Sequence, residues 1–464
     1  MVNIGMTQTG FTSADIIRLR ASFDASGQGH VFTFWDSLTT EQQQDLYTQL
    51  TELDIFRINQ IYDTAVKKAT DYTSNQAAIA HPLSAGAYES TLTVDSSSLQ
   101  EWRELGLKLI AEGKVAVIFV AGCKGTRLGS SGPRGYYDIN SPSGKTWFQS
   151  QAEHIIKLQK MARASNSVQH NVVITWYIIT SGRTHDPIYS IFENNNYFGL
   201  EKENVLFVKQ GILPCLTMEG KILMEDKYKV AVAADSNGGI YHALHNKGVI
   251  TSLKERGILY SHCYDVDNCL TRAADPTFIG YSVAKNTDCG VKVVATAISK
   301  ERVDAVEYFP ISREVFEIRK TDCTLTFGTA NIVNHFFSTE FLERIYTFSH
   351  ELEYHIARKK IKHINLDSGE FITPELYNGM MLECFIFDVF PFTRNLSVLE
   401  VDLNEEFSLL KNIPDFATDC SETSRRDLVT QRLREFQAAN GRKVRKDNNE
   451  NLEVKVSSLV SIWW

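Results

Sequence analysis

The sequence predicts an α/β protein built on a doubly wound, mostly parallel mixed sheet, with an N-terminal helical region and a short C-terminal region. Residues 115–120 and 172–179 are mostly β-branched and aromatic runs, and between them Phe148, Ala152, Ile155, Ile156 and Gln159 mark one face of a helix. Strand, loop, helix and strand in that order form the repeating unit of such sheets. Further short apolar runs at 205–208, 258–264, 277–283 and 291–297 continue the pattern toward residue 400.

The stretch before this core reads as helical. Thr40 with Gln43 resembles a capping box, and Leu46, Leu50 and Leu53 make a stripe that needs a surface to cover it. A Ser-rich connector, TLTVDSSSLQEW, leads into the first strand. Beyond residue 400 the chain turns charge-rich, with one short amphipathic segment, and ends at SLVSIWW. The expected organisation is a helical region over 1–100, a central domain over 101–400 and a C-terminal region over 401–464.

Composition narrows the function. In 464 residues, 43% hydrophobic and 22% charged, no apolar run approaches the roughly 20 residues that cross a bilayer. The N-terminus lacks the basic, apolar and small-residue order of a secretion signal, so the expected location is the cytoplasm, with no membrane partner. Eight cysteines show no CxxC pair, which argues against a cysteine-built zinc site and for reduced thiols. A formal charge of −8 argues against nucleic acid while permitting a local cationic pocket.

That pocket is suggested by VAVIFVAGCKGTRLGSSGPRGYYDI. A loop after a buried strand lies at the carboxyl edge of the sheet, where open α/β folds bind ligands. Gly122, Gly125 and Gly129 do not give the GxGxxG of a dinucleotide fingerprint. Gly144, Lys145 and Thr146 end like a P-loop, but position 139 is Ile where the first glycine belongs. What remains is a glycine loop with Lys124, Arg127 and Arg134. Three cations so close repel one another unless a multiply charged anion, such as a di- or triphosphate, neutralises them.

The loop GCKGTRLG, followed by PRGYYDI and SGKTWFQSQAEHI, resembles the nucleotide-binding loop of the eukaryotic UDP-N-acetylglucosamine pyrophosphorylase family. The likeness continues in order through TWYIITSGRT, NYFGLEKENVLFVKQGILPC, ADSNGGIYHAL, YDVDNCLTRAADPTFIGY, VEYFPIS, ANIVNHFF, FIFDVF and EEFSLLKN, over nearly the whole chain. It implies the Rossmann-like fold of nucleotide-diphospho-sugar transferases. It also implies the reaction of UTP with N-acetylglucosamine 1-phosphate to give UDP-N-acetylglucosamine and pyrophosphate, with Mg²⁺ as cofactor.

Carried over by this resemblance, Gly122 and Gly125, with Cys123 between them, give the nucleotide contacts, and Lys124 and Arg127 face the leaving phosphates. Arg134 stands where the family has a lysine that contacts the phosphates. Gln210, Gly211 and Gly238 frame the uracil, and Asn237, Glu307 and Asn331 hydrogen-bond the sugar and its N-acetyl group. Asp267 is the first Mg²⁺ ligand and Asp388 a second candidate. Lys411 reaches the α-phosphate or the sugar phosphate. His242, His262 and His335 are expected to be packing histidines.

The chain departs from the family at Cys123 and Ser236, where glycine is usual, and at Arg134. A Cβ at Cys123 costs roughly 1 kcal/mol if the turn needs φ > 0. Either the thiol points away from the ligand or the nucleotide binds differently here. The C-terminal region is also shorter than is usual in the family. Two alternatives therefore stand beside the main reading: a UDP-glucose or broad-specificity UDP-sugar pyrophosphorylase, and a weakly active nucleotide-sugar-binding regulatory homologue.

Overall fold

The computed structural model describes residues 10–71, 86–139, 144–295, 329–414 and 416–440. The chain divides into two units, one of Met1–Gln76, Gly211–Ile240 and Phe348–Asp388, the other of the remaining segments.

The smaller unit contains three N-terminal helices, α1 (Ser13–Ala25), α2 (Thr40–Thr51) and α3 (Ile55–Asp71). The capping box of α2 is Thr39 with Gln42, one residue earlier than the sequence suggested. TT and QQ repeats offer the box in two registers, and the helix takes the first. The leucine stripe behaves as expected, with Leu46, Leu50 and Leu53 all buried. The unit also carries short antiparallel strands, including His355–Lys359, Gly379–Glu383 and Leu216–Thr217 in one small sheet.

The larger unit holds an eight-stranded sheet. Its strands are β1 (Tyr88–Ser90), β2 (Val115–Val120), β3 (Thr175–Thr180), β4 (Val205–Lys209), β5 (Tyr260–Asp265), β6 (Cys289–Ala295), β7 (Thr329–Ser338) and β8 (Leu396–Val401). Their order across the sheet is β1-β8-β6-β7-β5-β2-β3-β4. Only β7 runs against its neighbours. The sheet is thus mixed and mostly parallel, and the carboxyl ends of β2, β3, β4, β5, β6 and β8 share one edge.

On one face lie α4 (Ser96–Ala111), α5 (Trp147–Ser165) and α6 (Pro276–Ala284). The apolar run at 277–283 is this last helix, not a strand. Asp275 caps it with a hydrogen bond to Thr277 N–H and Pro276 opens its first turn. Its apolar residues are buried nearly all round, so no amphipathic period announces it. Close approach to α4 requires glycine: a Cβ on Gly280 would lie 1.7 Å from the Trp102 carbonyl oxygen, and one on Gly106 would lie 2.0 Å from that of Pro276. Among the described residues no helix is long and apolar enough to cross a membrane.

Candidate active site

All six residues of β2 are buried, and the chain leaves the sheet edge at Val120 into the glycine loop. The loop doubles back on itself. Gly125 N–H donates to the Gly132 carbonyl at 2.9 Å, Arg134 N–H to the Cys123 carbonyl at 3.2 Å, and Lys124 bridges Pro133. Its base is tied to the turn after β3, because the Gly122 carbonyl accepts from Ser181 Oγ at 2.9 Å and Thr184 Oγ1 at 3.3 Å. A Cβ on Gly122 would come within 3.4 Å of Gln210 Oε1, so buried Gln210 stands beside the first glycine of the loop.

Register then brings in the acidic groups. Asp265, the last residue of β5, pairs with Val120, and Asp267 N–H donates to Asp265 Oδ1 at 3.2 Å. Arg134, only 6% exposed, donates from Nη1 to Asp267 Oδ1. Lys411 arrives from far along the chain on a short bridge between Asn268 and Leu409, where Leu410 N–H donates to the Asp267 carbonyl at 2.9 Å. Arg127 is exposed and Lys124 half-buried on the same loop.

One ligand atom each from Cys123, Asp265 and Asp267 lies within 4.8 Å of the others. Burial first, then Asp265 and Asp267, pushes the Cys123 thiol well above its ordinary range, with Arg134 and Lys411 opposing. The thiol is therefore protonated and a poor nucleophile. Burial works against the charge of Arg134, but Asp267 outweighs it and the guanidinium is held more firmly protonated. Cys123 has no positive φ, so the turn carries no left-handed strain there; Ser236 does, with φ of 45°.

Asn331 also belongs to the larger unit. It sits on β7 opposite Val293, its Oδ1 accepts from Val333 N–H at 2.8 Å, and its Nδ2 is 3.3 Å from His335 Nε2. His262 and His335 are fully buried and neutral, burial lowering them to about 4 and about 3.

Gly211, Asn237, Gly238 and Asp388 lie in the smaller unit. Asn237 Oδ1 accepts from Ile386 N–H at 3.0 Å, and Gly238 N–H donates to the Cys384 carbonyl at 2.9 Å. A Cβ on Gly238 would lie 2.6 Å from that carbonyl, so only glycine fits. Asp388 Oδ2 accepts from Phe385 N–H at 2.6 Å and Oδ1 is 3.2 Å from His355 Nε2. Beside the Asn237 turn, Asp235 is 2% exposed with Arg57 Nη2 at 3.8 Å. Glu307 lies outside the described residues.

Sequence reasoning missed Asp265. Its signal was the DxD spacing: in extended chain, residues two apart face the same side, so Asp265 accompanies Asp267 at the strand end. It also missed Ser181 and Thr184, whose hydroxyls anchor the loop only through the neighbouring strand.

Asp265 and Asp267 offer the oxygen donors a hard divalent cation takes, and the cations Lys124, Arg127, Arg134 and Lys411 stand at the same sheet edge. The chain has matching relatives over nearly its whole length. The sequence pattern of the UTP–glucose-1-phosphate uridylyltransferase family matches residues 59–456. UDP-N-acetylhexosamine pyrophosphorylase-like protein 1 of Xenopus tropicalis is 38% identical over 436 residues, 91% of this chain and 84% of that one. UDP-N-acetylglucosamine pyrophosphorylase of Saccharomyces cerevisiae is 37% identical over 422 residues, 87% of each chain. The crystal structure of uridine diphosphate N-acetylglucosamine pyrophosphorylase from Trypanosoma brucei, in complex with inhibitor, superposes with a TM-score of 0.80 at 25% identity, over 93% of this chain and 87% of that one. The doubly wound sheet, its loop and these likenesses together place the chain in the UTP–glucose-1-phosphate uridylyltransferase family, the UDP-sugar pyrophosphorylases.

Proposed function

We propose that the chain is a cytoplasmic UDP-N-acetylglucosamine pyrophosphorylase, joining UTP and N-acetylglucosamine 1-phosphate. The observation that supports this most is the gathering of Cys123, Arg134, Asp267 and Lys411 around one loop at the carboxyl edge of the sheet. The relatives' names supply the sugar, and Asn331 is the proposed reader of the acetamido group in the larger unit. Gly211, Asn237 and Gly238 are the proposed nucleotide and sugar contacts of the smaller one.

A sugar phosphate monoester is largely dianionic at neutral pH, its second pKa being about 6, so it needs no general base. Its oxygen attacks the α-phosphorus of UTP. A new P–O bond forms, the bond to the bridging oxygen breaks, and pyrophosphate leaves with the electron pair. The protein's task is to hold two polyanions in line and to neutralise the charge that builds on the leaving group. Gly122 and Gly125 admit the nucleotide, Lys124 and Arg127 face the leaving phosphates, and Arg134 and Lys411 face the reacting ones. Asp267, with Asp265, would hold Mg²⁺, which supplies charge neutralisation at phosphate oxygens when bound. Asp388, engaged by Phe385 and His355, is proposed to brace its own turn.

The test is pyrophosphate release by purified protein with UTP and Mg²⁺. N-acetylglucosamine 1-phosphate should outpace glucose 1-phosphate, and the reverse order would assign the chain to the UDP-glucose reaction. Stabilisation by UDP-N-acetylglucosamine with no turnover would make it a binding protein.

A further inference from the structure

The spacing of cysteines excludes a site built from cysteines, not a mixed one. Cys123 lies just beyond β2, Asp265 ends the adjacent strand β5 and Asp267 follows it, so the parallel pairing of β2 and β5 brings a thiol to the same sheet edge as two carboxylates. From these positions we infer that Cys123, Asp265 and Asp267 form a three-ligand site for a thiophilic divalent cation of the Zn²⁺, Co²⁺ or Cd²⁺ class. The inference extends the proposed reaction, on which its functional meaning rests.

Three arguments carry it. First, the ligand atoms already lie within 4.8 Å of one another, and a tetrahedral ion with Zn–S and Zn–O bonds of ordinary length asks for separations of about 3.5 Å. Rotation of the side chains closes that difference. Second, the donor set is wrong for Mg²⁺ alone. Mg²⁺ demands octahedral oxygen and gains little from sulfur, whereas thiolate selects softer ions. Three protein ligands leave a fourth position, as in catalytic rather than structural sites, and a phosphate oxygen suits it.

Third, Arg134 stands at the same carboxylate with part of its guanidinium unsatisfied. Its side chain is 94% buried, being 6% exposed, yet Nε has no hydrogen-bond partner among the described residues. Its Nη1 meanwhile rests on Asp267, holding a positive charge against that carboxylate. A metal cation arriving at Asp267 takes over that role and frees the guanidinium fork for a phosphate, the geometry it fits best. The thiol proton passes to solvent as sulfur ligates. A thiophilic ion would then compete with Mg²⁺ at the catalytic carboxylate, so that the chain's activity responds to the soft-metal supply.

The test uses the full chain, stripped with chelator and titrated with Co²⁺. Wild type should develop the near-ultraviolet thiolate-to-cobalt charge-transfer band, and Cys123→Ser should lack it. Asp265→Asn should keep the band but weaken Co²⁺ binding at least ~10-fold, no less than a metal site loses when even an outer-shell partner of its ligands is removed. Circular dichroism melts establish that each variant folds, with Cys123→Ala as the substitute should the serine variant not. A wild type without the band, or a band that survives in the cysteine variant, overturns the inference. Pyrophosphate release with Mg²⁺ from the same preparation separates the two readings: turnover without the band removes the soft-metal site alone, and the band without turnover removes the proposed reaction alone.

Discussion

Arg134 reaches across 133 positions of sequence to donate from Nη1 to Asp267 Oδ1, joining the basic arm of the glycine loop to the carboxylate after β5. Only one of the two is fully buried, Asp267 being 17% exposed on its side chain. Breaking a buried pair by removing one partner costs about 3–5 kcal/mol, whereas replacing both by neutral groups is often close to neutral. Arg134→Met should therefore lower stability by about 3 kcal/mol, and Arg134→Met with Asp267→Asn should recover most of it. Both should lose at least ~100-fold in turnover, the scale of one charge-stabilising group. Urea midpoints and pyrophosphate release measure the two effects. A double variant no more stable than the single one would show that the pairing is not what the loop depends on.

Arg127 offers the contrasting case, since it is exposed on the same loop. Exposed charges contribute little to folding, within about 1 kcal/mol. Arg127→Ala should leave the unfolding midpoint in place and cut turnover at least ~100-fold if the guanidinium faces the departing pyrophosphate. Near-normal turnover would remove Arg127 from the mechanism.

How much of this was legible in the sequence depends on what each residue answers to. β2 was readable to the residue because every position is buried and apolar, all but Ala116 being β-branched or aromatic, bounded by polar chain on one side and glycine on the other. The helix Pro276–Ala284 was not, because a segment buried nearly all round has no period to read. Arg134 and Asp267 were each visible through motifs, but their contact was not. It arises from the parallel register of β2 and β5, which no local pattern records. The same holds for Lys411, delivered by the bridge between Asn268 and Leu409.

The two departures from glycine in the resembled family should behave with opposite sign. Ser236 holds φ of 45°, a left-handed conformation that costs a side chain roughly 1–2 kcal/mol. Ser236→Gly should raise stability by about 1 kcal/mol. Cys123 has no positive φ, so Cys123→Gly gains no relief and adds unfolded-state freedom, lowering stability by about 0.5–1 kcal/mol. Denaturant midpoints of the two variants decide the matter. Equal stabilisation by both would mean that the loop conformation at Cys123 is strained after all.

Tight helix packing makes a third kind of prediction. A methyl group on Gly280 meets the Trp102 carbonyl oxygen at 1.7 Å, backbone against backbone, with no flexible side chain to yield. Forcing such overlap costs typically 1–3 kcal/mol or more. Gly280→Ala should lower the thermal midpoint markedly, while Gly211→Ala, where an added Cβ meets nothing within 4 Å, should change it little. Similar melting of the two variants would refute the close approach of α4 and α6.

Beneath the Asn237 turn, Asp235 should make stability fall with rising pH. Burial raises its carboxyl from the usual 3.8 to about 7, and Arg57 at 3.8 Å only partly opposes it. Tyr354, Cys384 and Asp388 also face this cluster, and His355 stands 3.2 Å from Asp388, where that carboxylate favours its charged form against the opposing effect of burial. Between pH 4 and 7 the folded chain therefore binds a proton that the unfolded chain has released. Stability from this group is complete below about pH 4 and is lost as pH rises through about 7. Asp235→Asn, which cannot ionise, should abolish that component, so the difference in unfolding free energy between variant and wild type should widen in the variant's favour from pH 5 to pH 8. Parallel urea titrations at both pH values measure it. A difference independent of pH would mean that Asp235 stays ionised in the fold, with Arg57 carrying the full compensation.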